Sequence, residues 1–507
     1  MNKQSSGKKV IMNAVIYSCS GLLLKCASFF LLPLYTVYLT TEDYGITSIA
    51  NTFRSTMSFI VAFSLFSAVS RFYVELKDNA EKLKRFYGTI CTFVFLSGLV
   101  FGGLLTVFRR LLSKYVFSGL DFYPVILICL ISLIFNCEHT IYDQILKSQQ
   151  KALKSSVLNI VFFVVTLILN IIFIVVFRMG AVGSLLATMI SAVIYTVWFL
   201  IEMISQKTIC LCLDWEVLKE ALKYSIPIIP HNLSTRIALL LSKVLIGGTA
   251  SLSSLGVYTV ATQFGDVADT IQGYVSKAYG PWLFENLHDR QGEYKNRIRR
   301  TTNLMSAVVS TFMLGIALFA QDYIILCTES SYVDAWRYVP LIVMCYATKT
   351  AYYFYVQILF YYKTASKKLF IATVSGSLIN VLLSFFMIPK WGVYGSIVAD
   401  WTAIVITTTI VILISRKFEN IGLRVWDSIR NFALVGVFIF AGMIFSYLKF
   451  DNEFSVANFV YKICIVLIYI AVMLIYYRKD IFVYMRKLLD KRQRKEKKNE
   501  AMEKTGN

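Results

Sequence analysis

The stretch Gly180-Ala-Val-Gly183-Ser-Leu-Leu-Ala187 returns later in the chain as Gly392-Val-Tyr-Gly395-Ser-Ile-Val-Ala399. A second stretch, Tyr44-Gly45-Ile-Thr-Ser-Ile-Ala50, returns as Leu255-Gly256-Val-Tyr-Thr-Val-Ala261. One shift of 210 to 212 residues accounts for both matches, so the chain contains an internal duplication. Two related bundles in one membrane chain usually enclose a shared cavity, an arrangement typical of transporters.

The composition indicates an all-α polytopic membrane protein. Of the 507 residues 57% are hydrophobic and only 16% are charged, which excludes an ordinary soluble multidomain enzyme. Apolar stretches long enough to cross a bilayer as helices recur along the chain. We predict about fourteen spans, at residues 10–38, 44–70, 86–108, 121–145, 155–177, 181–205, 222–248, 255–280, 301–321, 337–362, 369–388, 393–415, 429–449 and 454–477.

The duplication divides these spans into two sets of six. Because six is an even number, both sets enter the membrane in the same sense, which predicts a pseudo-twofold axis along the membrane normal. The same shift relates Asn170 to Asn380. We therefore predict an N-lobe over 1–213, a C-lobe over 214–425, an additional helix pair over 426–480 and a basic tail over 481–507.

Basic residues predict the orientation. The net charge of +21 would favour a nucleic-acid partner in a soluble protein, but most of the 51 Lys and Arg lie in alternate connections, beginning with residues 1–9. This is the positive-inside pattern. Both termini are expected in the cytoplasm, and no nucleic-acid partner is expected.

Five cations lie well inside apolar sequence, where each costs about 2.5 to 3.5 kcal/mol at the bilayer centre unless it meets water or a partner charge. They are the candidate ligands of an anion: Lys25, Arg54, Arg236, Lys243 and Lys349. Lys25 and Arg236 are repeat mates and should face the same cavity. An anion with two or more charges, such as a diphosphate, would offset their repulsion. The alternative is that Arg54 or Arg236 forms an internal salt bridge with Asp266, Asp269 or Glu138.

Polar side chains accompany these cations at helical spacing, so spans 2, 7 and 8 each present a polar stripe. The predicted cavity-lining residues are Asn51, Asn232 and Thr262. Acidic groups and one histidine within spans are candidates for ion coupling or charge compensation: Glu138, His139, Asp266, Asp269 and Asp400. Tyrosines of span 10 suit sugar rings or an interfacial aromatic belt, and the sugar-contact candidates are Tyr346, Tyr352 and Tyr353.

The sequence carries no Walker A loop, no dinucleotide-binding glycine motif and no HExxH motif. We therefore expect no enzyme activity, no metal site and no cofactor. Energy would come from an H⁺ or Na⁺ gradient, the membrane potential or downhill flux of the substrate.

Several motifs resemble the polysaccharide transporter branch of the multidrug/oligosaccharidyl-lipid/polysaccharide (MOP) exporter superfamily. They are Leu39-Thr-Thr-Glu-Asp-Tyr44-Gly45, Gln144-Ile-Leu-Lys-Ser-Gln-Gln-Lys151 and the repeated Asn followed by Gly-x-x-Gly-Ser. The resemblance covers nearly the whole chain. It implies a V-shaped, MATE-like fold of two lobes with two extra C-terminal helices, in which cations on early helices contact a diphosphate. Lys25, Arg54 and Arg236 occupy comparable places.

The resemblance also implies a function. Such proteins flip undecaprenyl-diphosphate-linked oligosaccharide repeat units from the cytoplasmic to the outer leaflet of the bacterial cytoplasmic membrane, for capsule, O-antigen or another surface polysaccharide. Expected partners are the lipid-linked glycan, the bilayer and the polysaccharide polymerase machinery, with the chain acting as a monomer. Two alternatives stay open: a MATE-like ion-coupled multidrug exporter, and a membrane enzyme acting on the same lipid-linked glycan. Lys25 weighs against the exporter, because cation exporters typically carry a carboxylate in the first span.

Overall fold

Helix is the only regular secondary structure in the part of the chain that the computed structural model describes. This part comprises residues 3–366 and 368–505, without the side chains of 1–11, 14, 231, 363, 366 and 484–507. Its helices are α1 (Lys3–Phe30), α2 (Leu32–Tyr38), α3 (Thr41–Val61), α4 (Leu65–Leu76), α5 (Ala80–Val107), α6 (Arg109–Tyr115), α7 (Leu127–Ser148), α8 (Ala152–Asn170), α9 (Gly180–Ser205), α10 (Trp215–Ser225), α11 (Ile229–Thr249), α12 (Leu252–Asp289), α13 (Tyr294–Cys327), α14 (Val339–Tyr361), α15 (Lys363–Ser366), α16 (Leu369–Phe418), α17 (Val425–Leu448) and α18 (Val456–Thr505). Short 3₁₀ or π turns join some of them.

Each of the fourteen predicted spans falls on helix. Within the described residues nine helices are long and apolar enough to cross a membrane, or ten when α3 and α4, bent by 47°, count as one span. The 50-residue α16 contains two predicted spans, because it breaks at Gly392. Spans 7, 8 and 10 lie on α11, α12 and α14, and these helices carry Arg236, Lys243, Asp266, Asp269 and Lys349 among the charged site candidates. The chain is a multi-pass membrane protein.

The repeated glycine motif has the same backbone conformation in both halves. Gly180 and Gly392 both adopt a left-handed φ, +55° and +54°, at the turn between two consecutive spans. A side chain would be strained at such a φ, which accounts for glycine at both positions. Three residues later, Gly183 and Gly395 pack against the carbonyl oxygens of the preceding span. The internal repeat is thus a structural repeat.

Asp43, within the motif Leu39-Thr-Thr-Glu-Asp-Tyr44-Gly45, caps the start of α3. Its backbone N–H donates to Thr40 Oγ1, and its carboxylate accepts from the backbone N–H of Thr40, which completes a capping box. The other carboxylate oxygen accepts from the N–H of Ala181 at 2.8 Å. One aspartate therefore caps α3 and ties its beginning to that of α9.

The chain divides into two compact units. Unit 1 comprises residues 1–263, 327–338 and 369–407, and unit 2 comprises 264–326, 339–368 and 408–507. Compactness defines these units, whereas the repeat defines the predicted lobes 1–213 and 214–425, so the lobe boundaries stay a prediction. The basic tail belongs to α18 up to Thr505, and its side chains after Val483 lie outside the described residues.

Each unit has its own core. In unit 1, Phe86, Ile90, Cys137 and Phe199 are buried together where α5, α7 and α9 pack. In unit 2, Tyr279 lies in edge contact with Phe354, and its hydroxyl is 2.8 Å from Thr302 Oγ1. These cores hold the helices that carry the site residues.

Candidate functional site

Two repeat mates, Gly45 and Gly256, lie against each other where α3 and α12 begin. A Cβ on Gly45 would stand 2.0 Å from the carbonyl oxygen of Leu252, and a Cβ on Gly256 would stand 1.8 Å from that of Thr41. The hydroxyls of Thr41 and Ser253 are 2.6 Å apart. Because equivalent residues of the two repeats face each other, a local twofold axis passes between the beginnings of these helices. Only glycine permits so close a crossing.

The crossing continues through a second pair of repeat mates, Ser48 and Thr259. Thr259 Oγ1 donates to Ser48 Oγ at 2.8 Å. The ammonium of Lys243, on α11, donates to the same serine oxygen at 2.9 Å. Lys243, predicted as a diphosphate ligand, is therefore half-buried and bound at the edge of the crossing.

Arg54 and Arg236 lie on α3 and α11, two helices that pack along much of their length. Thr56 Oγ1 donates to the backbone carbonyl of Arg236 at 3.4 Å, and the Arg236 guanidinium lies 5.9 Å from the centre of the Phe59 ring. Arg54 is half-buried and Arg236 is exposed. Neither guanidinium forms an ion pair with any residue that the structure describes. The predicted alternative of internal salt bridges at these two arginines is therefore not realised.

The remaining predicted residues of this group also belong to unit 1. Lys25 on α1 and Asn51 on α3 are exposed. Asn232 Nδ2 donates to Ser64 Oγ at 3.5 Å, and Thr262 Oγ1 donates to the backbone carbonyl of Thr259 at 2.8 Å. Unit 1 thus holds four of the five predicted cations together with all three predicted lining residues.

The fifth cation, Lys349, lies in unit 2 and is neutralised. Its ammonium is 2.8 Å from Asp269 Oδ1, and the Tyr353 hydroxyl donates to the same oxygen at 2.8 Å. The ammonium also lies 5.4 and 5.3 Å from the ring centres of Tyr346 and Tyr353. Tyr352 makes an edge contact with Tyr353 at 5.6 Å between ring centres. The structure thus joins one predicted phosphate ligand and all three predicted sugar contacts in a single cluster, and Asp266 is exposed one turn before Asp269.

Glu138 and His139 lie inside unit 1. Glu138 is 2% exposed, and among the described residues neither of its carboxylate oxygens has a hydrogen-bond partner. The His139 ring stacks on Phe162 and meets Tyr195 edge-on, with ring centres 4.8 and 4.2 Å apart. An isolated carboxylate is costly to keep charged in such a place.

Asp400 sits beside the repeated asparagine of the second half. Asn380 Nδ2 donates to Asp400 Oδ1 at 2.6 Å, and the Tyr258 hydroxyl donates to Oδ2 at 3.4 Å. Ser396 and Ser384 add hydroxyls to this network. No Lys or Arg in the described parts of the chain pairs with Asp400. Asp400 is therefore surrounded by neutral hydrogen-bonding groups, an amide and several hydroxyls, and no described Lys or Arg neutralises it.

Sequence reasoning missed two buried ionic networks in unit 2. Lys462 on α18 is fully buried, and its ammonium lies 2.7 Å from Asp322 Oδ2 and 2.8 Å from Gln321 Oε1. Asp427 on α17 accepts from Arg299 at 2.9 Å and from Arg430 at 3.2 Å. The sequence signal that could have found the first network was a single lysine, Lys462, inside the last predicted span and an aspartate, Asp322, directly after span 9. Both networks tie the additional helix pair to α13.

Solved structures with similar folds are membrane transporters. The lipid II flippase MurJ, in an inward closed conformation, matches with a TM-score of 0.66 and 16% identity, over 93% of this chain and 100% of that chain. An inward-facing multidrug resistance MATE transporter of the MOP superfamily matches with a TM-score of 0.56 and 14% identity, over 78% and 98%. The Vibrio cholerae MATE transporter VcmN, in its bent form, gives 0.52 and 14%, over 85% and 99%. The chain therefore has the fold of the MurJ and MATE transporters, and the fold prediction is confirmed.

The family follows from the sequence match. The family model described as "Polysaccharide biosynthesis protein" matches residues 38–337, more than half of the chain. The protein belongs to this family. A comparison with curated protein sequences gives no match.

Proposed function

We propose that the protein flips undecaprenyl-diphosphate-linked oligosaccharide repeat units from the cytoplasmic to the outer leaflet of the bacterial cytoplasmic membrane by alternating access. The observation that carries this proposal is the pair Arg54 and Arg236, two guanidinium groups within membrane helices that lack an ion pair among the described residues. A cation in that position is costly unless it faces water or an anion. Two such groups suit a diphosphate, whose oxygens accept bidentate hydrogen bonds from arginine.

The family and the fold also support a lipid-linked glycan as the substrate. Members of a polysaccharide biosynthesis family act on glycan intermediates, and a neighbour in fold is a lipid II flippase. A cationic drug, the substrate of the multidrug alternative, would be repelled by Arg54 and Arg236. The anionic lipid-linked glycan is therefore the substrate that we favour. We also propose that both termini lie in the cytoplasm, as the positive-inside pattern predicts.

The crossing of α3 and α12 supports alternating access. With the amino terminus in the cytoplasm, the connections before α3 and α12 lie at the outer face of the membrane. The crossing therefore holds the two helices together at that face. Release to the outer leaflet requires the two beginnings to separate. The hydroxyl contacts of Thr41 with Ser253 and of Ser48 with Thr259 are individually weak, which suits a contact that opens and closes.

Energy coupling is placed at Asp400. Its carboxylate, the amide of Asn380 and the surrounding hydroxyls offer oxygen ligands to Na⁺ or an acceptor for H⁺. Among the other candidates, Asp269 is already neutralised by Lys349. Glu138 is only 2% exposed, and the His139 ring packs against Phe162 and Tyr195, which makes both less suitable for an exchanging ion.

The test is the location of the lipid-linked glycan in cells. A variant with Arg54→Gln and Arg236→Gln should accumulate the intermediate in the cytoplasmic leaflet and lose surface polysaccharide, while it remains folded in the membrane. The control is Arg290→Gln, an exposed arginine outside the spans that pairs with Glu419. Normal polysaccharide display together with altered drug resistance in the double variant would instead support the multidrug exporter.

A further inference from the structure

The cluster formed by Asp269, Lys349 and Tyr353 occupies a firmly fixed part of unit 2. Gln272, on α12, donates to Thr350 Oγ1 at 2.5 Å and to the backbone carbonyl of Tyr346 at 2.8 Å. One turn later, Ser276 Oγ donates to the carbonyl of Tyr353 at 2.9 Å. Side-chain hydrogen bonds to a neighbouring backbone fix the register of α12 against α14. The cluster is therefore held in place before any ligand arrives.

The cluster carries no net charge, which separates it from the arginines of unit 1. Lys349 and Asp269 neutralise each other at 2.8 Å. A diphosphate brought to this place would compete with Asp269 for the lysine and would meet a negative carboxylate. The cluster is consequently a poor anion site, although sequence reasoning assigned Lys349 to the diphosphate.

The cluster is nevertheless accessible. The side chains of Lys349 and Asp269 are 26% and 31% exposed, in the middle of helices whose surroundings are apolar. An ion pair exposed to acyl chains would be costly, so this face meets water or a polar ligand. A purely structural pair is expected to be sealed, as the fully buried Lys462 is with Asp322.

The exposed groups match the surface of a sugar. Both hydrogen bonds to Asp269 end on Oδ1, which leaves Oδ2 without a partner among the described residues and able to accept from sugar hydroxyls. The Lys349 ammonium can donate to neighbouring sugar hydroxyls, and the Tyr353 hydroxyl oxygen, whose proton goes to Asp269, can accept from one. The rings of Tyr346 and Tyr352 offer flat apolar surfaces for the CH face of a pyranose. Carboxylate, ammonium and aromatic faces thus meet at one place.

We propose that this cluster is a carbohydrate subsite, which binds a neutral sugar of the lipid-linked glycan. The inference rests on the proposed function and deepens it. In this subsite Asp269 accepts hydrogen bonds from sugar hydroxyls, and Tyr353 orients the Asp269 carboxylate by donating its own hydrogen bond to it. The ring of Tyr352 packs on the sugar ring.

The experiment compares two probes on the purified full-length protein in nanodiscs. One is undecaprenyl diphosphate without sugar, and the other is the lipid-linked oligosaccharide extracted from cells in which the gene is deleted. The wild type should bind the glycosylated lipid more tightly. Asp269→Asn and Tyr353→Phe should weaken binding of the glycosylated lipid by about tenfold, since each alters a hydrogen bond to or beside a charged group. Binding of the sugar-free lipid should change by less than about twofold.

A matched control removes a hydroxyl from another part of α14. Tyr355 is buried and donates to the backbone carbonyl of Leu423, so Tyr355→Phe should leave both affinities unchanged. Because Asp269→Asn leaves a lysine without its partner, the double variant Asp269→Asn with Lys349→Gln tests the same site without a stranded charge. It should show the same selective loss.

The outcomes separate this inference from the proposed function. An equal loss for both lipids, or no loss for either, overturns the carbohydrate subsite and leaves the flippase in place. A wild-type protein that binds neither lipid overturns both. A loss confined to the glycosylated lipid supports the subsite.

Discussion

The membrane-embedded cations of unit 1 differ from those of unit 2 in what neutralises them. Lys349 and Lys462 in unit 2 each lie within 2.8 Å of a carboxylate. Arg54 and Arg236 in unit 1 have no carboxylate partner among the described residues. A cation with a fixed carboxylate partner can stabilise the packing of its helices, whereas a cation without one needs water or an anion around it. The difference is the basis of the proposal that unit 1 binds the anionic group of the substrate.

The largest expected effect comes from closing the crossing in unit 1 permanently. The hydroxyls of Thr41 and Ser253 are 2.6 Å apart, so cysteines at both positions are close enough to form a disulfide. Oxidation of the Thr41→Cys, Ser253→Cys variant should abolish flipping in proteoliposomes, and reduction should restore it.

Each single cysteine variant serves as the control for that measurement, because the protein already contains ten cysteines. Flipping that continues at the normal rate with the disulfide formed would show that the crossing does not open during transport.

Removing a paired cation should cost more stability than removing an unpaired one. Lys462→Met leaves Asp322 buried without its counter-charge and should reduce the free energy of unfolding by about 3 to 5 kcal/mol. Arg236→Met removes no ion pair and should change it by less than about 0.5 kcal/mol. Thermal unfolding of the two detergent-solubilised variants measures this contrast.

Adding Asp322→Leu to Lys462→Met should recover much of the lost stability, since the stranded carboxylate is then gone. Equal melting temperatures for the Lys462 and Arg236 variants would remove the basis of the comparison between the units.

A smaller effect is expected at Asp400, where a carboxylate rather than a cation lacks a fixed counter-charge. Asp400→Asn keeps the shape and a hydrogen-bonding amide but removes the charge. Flipping driven by an imposed Na⁺ or H⁺ gradient should fall by about tenfold, the loss of one charged interaction. Downhill flipping without a gradient should persist, and a variant that still responds fully to both gradients would exclude Asp400 from coupling.

The smallest effect is expected in the ionic network of α17. Arg430 donates to Asp427 and to the Tyr477 hydroxyl, and its guanidinium lies 4.4 Å from the centre of the Tyr476 ring. Arg430→Gln should lower stability by about 1 kcal/mol, because Arg299 continues to neutralise Asp427. Flipping should be unchanged, and an impaired rate at normal stability would mean that this network takes part in transport.

The sequence predicted the helical fold and the spans because both depend on local composition and on a repeat that is visible in one chain. The glycines illustrate this. Gly45 and its repeat mate Gly256 allow two helices to approach closely, and Gly180 and its repeat mate Gly392 adopt a positive φ. Both situations favour glycine, so both can be recognised in the sequence. The candidate site was harder to predict. Helical spacing placed Lys349 and Asp269 on polar faces, but which face packs on which is set by tertiary contacts. Asp269 therefore paired with Lys349 rather than with either arginine.

The same limit explains the missed pair of Lys462 and Asp322. These residues are distant in the chain. Asp322 directly follows predicted span 301–321, where a charge is ordinary, and nothing in the sequence around Lys462 in span 454–477 indicates which helix it faces. Lys462 is fully buried where α18 packs on α17 and contacts Gln321 and Asp322 of α13. Burial, not residue type, distinguishes it from an interfacial lysine.

The most direct test of the account is the affinity of the full-length protein in nanodiscs for undecaprenyl diphosphate and for undecaprenyl monophosphate. The wild type should prefer the diphosphate, and the Arg54→Gln, Arg236→Gln variant should lose about 100-fold in affinity for it, since two charged hydrogen-bonding groups are gone. The same affinity for the diphosphate in the wild type and the double variant would contradict the claim that these two arginines bind the anionic group of the substrate.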